Sequence, residues 1–143
     1  MIILKDLPDR FGVIPELIEP SPWTGVIPTD EHLLEMYKLM IAEEGIGLAA
    51  PQIGIRNRYF VMHEGLYPDR FVVNPKIIGV SGAAWDVEAC LSFPGRHFMV
   101  CRPTGVLFST QNGKGTLEDW AARVFMHEYD HLDGKVLTDH QEI

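Results

Sequence analysis

The sequence predicts an α+β domain in which largely antiparallel sheets pack around a C-terminal helix. Apolar residues recur at helical spacing in two stretches, one near residue 33 and one ending near residue 132. Between them lie six short runs with strand character, separated by Gly, Pro and Asn turn signals. The resulting order of helix, several strands, helix is that of an α+β domain rather than an alternating α/β one. No internal repeat or linker interrupts the 143 residues, so 1–143 reads as one domain of ordinary size.

Residues 1–28 hold Pro8, Pro15, Pro20, Pro22 and Pro28 and read as an irregular lead-in. Thr29-Asp30-Glu31 is a helix start, a capping residue followed by acids in the first turn. The helix runs through Leu33, Leu34, Tyr37, Leu39, Met40 and Ile41, with Gly45 as its stop. The strand runs are Tyr59 to Met62, Phe71 to Val73, Lys76 to Val80, Trp85 to Leu91, His97 to Cys101 and Gly105 to Thr110. Asn112-Gly113 marks a turn. The last helix is expected from about Thr116 to Leu132, with Leu117, Trp120, Ala121, Val124 and Phe125 on its apolar stripe and Gly134 after its end.

Composition excludes several classes. The net charge is −8, from 20 acidic and 12 basic residues, and no basic patch stands out, which disfavours direct contact with nucleic acid. No apolar run approaches the roughly 18 residues of a membrane span. The start, Met1-Ile2-Ile3-Leu4-Lys5-Asp6, has too short an apolar stretch for a secretory signal, so a cytoplasmic location is expected. The two cysteines, Cys90 and Cys101, are then expected to be reduced thiols. The acidic charge favours a soluble monomer.

Three segments carry chemistry. The first is Met126-His127-Glu128-Tyr129-Asp130-His131. Residues four apart share a helix face, so His127 and His131 can point at one ion, and Glu128 can reach a water beside it as a general base. Taken alone, such a string also arises on ordinary surface helices. The second is Glu88-Ala89-Cys90-Leu91-Ser92. Cys90 can complete a Cys-His-His donor set, which suits Zn, Fe or Ni and excludes Mg and Ca, although a lone cysteine is more often a small buried hydrophobe. The third is Gly45-Ile46-Gly47-Leu48-Ala49-Ala50-Pro51-Gln52. Its glycines allow close backbone approach to an extended peptide, and Gln52 offers an amide donor for an oxyanion. By itself that segment reads equally as a helix stop followed by a loop.

Together the three motifs resemble the peptide deformylases, which remove the formyl group from the N-terminal formyl-methionine of nascent chains. The family patterns G-x-G-L-A-A-x-Q, E-G-C-L-S and Q-H-E-x-D-H occur here in order at similar spacing, and Val73-Asn74-Pro75-Lys76 also matches. The resemblance spans residues 24–137. It implies that Cys90, His127 and His131 hold a metal, Fe(II) in the cell, with Zn(II), Ni(II) or Co(II) as replacements. It implies that Glu128 accepts a proton from the attacking water and passes it to the leaving amine. Gln52 and the Leu91 backbone N–H would hold the oxyanion. Gly45, Ile46, Gly47, Glu88, Trp120 and Val124, near His127, would bind an N-formylmethionyl peptide and its methionine side chain. Arg102 and Asp130 are positioned as an ion pair behind the site.

Three departures from the pattern stand out. Ala89 replaces a glycine, which is strained if that position is left-handed and harmless if it is extended. Met126 replaces a glutamine and reads as a core residue. Nine residues follow Gly134, so ribosome contact through a C-terminal helix is not expected. Two rival readings remain open on sequence alone. One is a catalytically silent relative that binds peptide N-termini, supported by Ala89 and Met126 but opposed by the retained Glu128. The other is a metallopeptidase cutting internal amides, which Cys90 disfavours because such enzymes use His or Glu as the third ligand.

Overall fold

The computed structural model describes residues 15–143. The lead-in up to residue 14 lies outside the described residues, while Pro15–Ile18 form a single helical turn, α1. Helix α2 spans Asp30–Ala42. Its start follows the expected capping chemistry, since the Thr29 hydroxyl accepts from the His32 N–H at 3.1 Å and Asp30 and Glu31 sit at the positive helix end. It buries Leu33, Met36, Tyr37, Leu39 and Met40, while Leu34 and Ile41 face outward. Its end differs from expectation: the left-handed residue is Glu44, at φ 60°, and Gly45 closes the turn by donating to the Met40 carbonyl.

Three antiparallel sheets follow. Strands β1 (Gly47–Ala49), β2 (Tyr59–Met62) and β3 (Phe71–Val73) form the first, with β2 central. Its four residues Tyr59-Phe60-Val61-Met62 are all buried because the sheet is covered on both faces. Tyr59 and Val61 join Leu48 and Val73 against α2. Phe60 and Met62 join Ala49 and Val72 against the last helix. Strands β4 (Lys76–Ser81), β7 (Gly105–Thr110) and β8 (Gly113–Glu118) form the second sheet. Strands β5 (Ala84–Cys90), β6 (Phe93–Arg102) and β9 (Gln141–Glu142) form the third. The ladder between β5 and β6 is irregular between Glu88 and Cys90.

Helix α3 spans Asp119–Leu132, three residues shorter at its start than the apolar spacing predicts. Thr116, Leu117 and Glu118 instead continue β8, paired with Leu107, Val106 and Gly105. The two-residue turn Gln111-Asn112, closed by the Thr110–Gly113 pair, sets that register, and the ladder outweighs the helical spacing of Leu117. Asp119 adopts φ 53° and donates its N–H to the Thr104 carbonyl, switching the chain from strand to helix. Phe125 anchors α3 to the sheets, stacked on Phe108 with centroids 4.3 Å apart and edge-on to Phe60.

The C-terminal end of α3 is fixed by Arg58, 2% exposed. Its guanidinium donates to the carbonyls of Ser21 and Leu132 and to Asp133, and lies 3.8 Å over the Trp23 ring. The Ser21 N–H also donates to the Leu132 carbonyl. Gly134, at φ 75°, turns the chain back so closely that a Cβ there would lie 2.9 Å from the backbone of Ile18 and Pro20. Beyond it, Leu137–Asp139 form a 3-10 turn and β9 pairs with β6.

Arg58→Met removes three hydrogen bonds, to the Ser21 and Leu132 carbonyls and to Asp133, and leaves the Leu132 carbonyl only the Ser21 N–H. It is expected to destabilise the fold by about 3 kcal/mol. The measurement is the urea midpoint, which should fall with an unchanged m value.

Candidate active site

Three segments meet at one place. The end of β5 brings Glu88 and Cys90, α3 brings His127, Glu128 and His131, and the stretch from Gly45 through β1 ends in a 3-10 turn, Ala50–Ile53, that carries Gln52. The donor atoms of Cys90, His127 and His131 all lie within 4.8 Å of one another. Cys90 Sγ is 3.4 Å from His131 Nε2, and the two imidazole rings stand nearly perpendicular. His127 Nδ1 is 2.8 Å from Glu88 Oε1, and His131 Nδ1 is 3.2 Å from the Lys135 carbonyl. With both Nδ1 atoms engaged, both Nε2 atoms remain as ligands. One sulfur and two imidazole nitrogens, with their orienting partners in place, fit a borderline-soft divalent ion.

Glu88 is the hub behind these ligands. Its Oε1 also accepts from Arg102, and its Oε2 accepts from Arg102 and, at 2.7 Å, from Arg123. Arg102 reaches further to Asp130, the ion pair expected from the sequence. Burial opposes the charge on Glu88, but the hydrogen bonds from His127 and Arg102 outweigh it and hold its carboxyl well below the usual range. Burial also opposes charge on His127, yet the Cys90 sulfur and Glu88 push its pKa well above the ordinary value. His131 is pushed well below, by burial and by its neighbour His127.

Glu128 is 4% exposed, and burial pushes its carboxyl up to about 7. Its Oε1 is buried without a hydrogen-bond partner among the described residues. Its other oxygen lies 2.5 Å from where a Cβ on Gly47 would stand. Gly47 is therefore glycine to admit the carboxylate, and Gly45 admits Leu91, whose Cδ1 would be 2.8 Å from a Cβ there. Gln52 is buried at 2% exposure; its Oε1 accepts from the Ala49 N–H, and its Nε2 donates to Ser92 Oγ at 3.1 Å and to Cys90 Sγ at 3.5 Å. Its amide thus touches the ligand sulfur.

A cavity of about 770 Å³ opens beside the donors. Gly45, Ile46, Gly47, Glu88, Leu91, Trp120 and Val124 line it with Cys90, His127 and Glu128, whereas Gln52 and His131 are not among its lining residues. The departures at Ala89 and Met126 are accommodated. Ala89 is exposed and is not among the residues with positive φ, so it carries no left-handed strain. Met126 packs on the core around Phe125, as expected of a core residue. Sequence reasoning missed Arg123, which lines the cavity and is 5% exposed. A charged residue between Ala122 and Val124 on the inner face of α3 was the available signal.

Comparison with known proteins agrees with this geometry. The polypeptide deformylase family model matches residues 22–142. Peptide deformylase 1 of Clostridium acetobutylicum is 44% identical over 119 residues, covering 77% of this chain and 79% of the relative. The crystal structure of peptide deformylase from Thermotoga maritima superposes with a TM-score of 0.77 at 34% identity, covering 89% of this chain and 91% of that one. A probable peptide deformylase from Synechococcus phage S-SSM7 superposes with a TM-score of 0.75 at 35% identity, over 87% of this chain and 93% of that one. The motifs, the donor cluster and these likenesses agree, and the chain belongs to the peptide deformylase family.

Proposed function

We propose that this chain is a metal-dependent hydrolase that removes the N-formyl group from formyl-methionyl peptides. The observation that carries the reading is Glu128, whose Oε1 is buried and without a hydrogen-bond partner among the described residues, and which lines the same cavity as Cys90 and His127. A buried carboxylate in that position is built to accept a proton. The retained base, in its place, is what a silent peptide-binding relative would be free to lose.

Cys90, His127 and His131 would hold the divalent ion, which supplies Lewis acidity toward a water and the formyl carbonyl. Ferrous iron is the proposed cellular ion, with zinc, nickel or cobalt as replacements, consistent with the mixed sulfur and nitrogen donors. Ile46, Glu88, Val124 and Trp120 would receive the methionine side chain, and Gly45 to Gly47 would lie along the peptide backbone. Glu128 takes a proton from water as its oxygen bonds to the formyl carbon. Gln52 and the Leu91 N–H stabilise the oxygen charge that develops there. The carbon–nitrogen bond then breaks, Glu128 returns the proton to the amine nitrogen, and formate and a free N-terminus result. We further propose that the chain acts in the cytoplasm as a single-domain monomer without nucleic-acid contact, a reading supported by the charge of −8.

The test is formate release from a formyl-Met-Ala-Ser peptide by protein prepared without oxygen and loaded with Fe(II) or Ni(II). The unformylated peptide serves as control. Chelation should abolish release, and adding back the ion should restore it. Glu128→Ala should retain the ion and lose about a thousandfold in kcat; near-normal turnover would remove Glu128 from its role. Gly47→Ala should displace the Glu128 carboxylate and lower kcat by about a hundredfold with the fold retained. Cys90→Ser should release the ion on dialysis, read by metal analysis. Full occupancy in that variant would take Cys90 out of the ligand set.

A further inference from the structure

The cavity that is proposed to take the first side chain is not apolar throughout. Ile46, Val87, Val124 and Trp120 supply apolar wall, but Arg123 lies among them. Arginine carries five N–H donors. Nη1 uses two, on Glu88 Oε2 at 2.7 Å and the Val100 carbonyl at 3.0 Å, and Nη2 uses one on the Ala84 carbonyl at 2.8 Å. Nε and the second Nη2 hydrogen make no hydrogen bond among the described residues. The sealed polar atoms without partners are Ser21 Oγ, Arg58 Nε and Glu128 Oε1, so Arg123 Nε is not sealed. Arg123 is 5% exposed and is one of the residues that line the cavity. Three fixed hydrogen bonds hold the guanidinium in place, which makes the donor preorganised.

We propose that Arg123 gives the side-chain cavity a charged hydrogen-bond donor, and that the protein therefore also deformylates peptides beginning with formyl-methionine sulfoxide. This rests on the reading that the cavity takes the first side chain. Oxidation of methionine adds one oxygen to the sulfur and makes it a strong acceptor. In a wholly apolar pocket that oxygen would lose its water without compensation and binding would suffer. An Arg123 N–H at the wall replaces the lost water, and hydrogen bonds to charged donors are the stronger kind. The reaction itself is unchanged: water adds to the formyl carbon, the carbon–nitrogen bond breaks, and formate leaves. Because the donor is fixed on one wall, the two sulfoxide epimers present their oxygen to it unequally.

The test uses three formyl peptides that differ only in the first residue: methionine, its sulfoxide as separated epimers, and norleucine, which has the same shape and no heteroatom. For the native protein, the better sulfoxide epimer is expected within about tenfold of norleucine in kcat/KM, with the other epimer at least threefold worse. A larger deficit for both epimers overturns the proposal. In Arg123→Met the ratio of sulfoxide to norleucine should fall about tenfold or more, as loss of a charge-assisted bond predicts. An unchanged ratio overturns it. Since Arg123 also braces Glu88, Arg123→Lys provides a gentler second variant, expected to keep part of the preference. Calorimetric binding of the unformylated sulfoxide and norleucine peptides gives the same comparison without turnover. Failure of every formyl peptide to release formate, with normal sulfoxide preference in binding, would sink the assigned reaction and leave the Arg123 subsite standing.

Discussion

The site depends on one buried carboxylate. Glu88 accepts hydrogen bonds from His127, Arg102 and Arg123, and through them it joins β5, β6 and α3. A lone carboxylate at this depth would be strongly unfavourable, and two guanidinium partners make it tolerable. With its charge secured, Glu88 holds the His127 ring by Nδ1 and leaves Nε2 for an ion. The same side chain forms part of the cavity wall, so ligand orientation and cavity shape share one support.

The second constraint is the approach of β1 to α3. Gly47 leaves just enough room for the Glu128 carboxylate, and β1 is kept there by pairing with β2, whose residues are locked between α2 and α3. The helix packing that builds the core thus also determines how dry the base is. A carboxylate raised to about 7 follows from this burial.

Much of this was legible in the sequence because its signals are local. The fourfold spacing of His127 and His131, the Thr29 cap of α2 and the turn at Asn112-Gly113 each rest on a few neighbouring residues. Cys90 was less legible: nothing near it in sequence says that α3 folds over it, and the resemblance to a family supplied that link. Strand β8 is not among the predicted runs, since Leu117 satisfies both helical and strand spacing and the partner strand decides between them. Gly45 is read as the helix stop on propensity, whereas close contact with Leu91 is what requires glycine there and Glu44 takes the left-handed turn. Arg58 is not legible because its partners lie up to 75 residues away in sequence.

Helix ends normally fray, yet His131 sits one residue from the end of α3. Here that end is tied to Ser21 by the chain, to Arg58 by its guanidinium, and to Ile18–Pro20 by the tight approach of Gly134. Amide exchange in the last turn should therefore track global unfolding rather than local fraying. In kinetic terms, the lead-in around Pro20 to Trp23 acts as a clasp on an ion ligand it never touches. Retention of the ion then becomes a property of how firmly residues 18–23 stay docked.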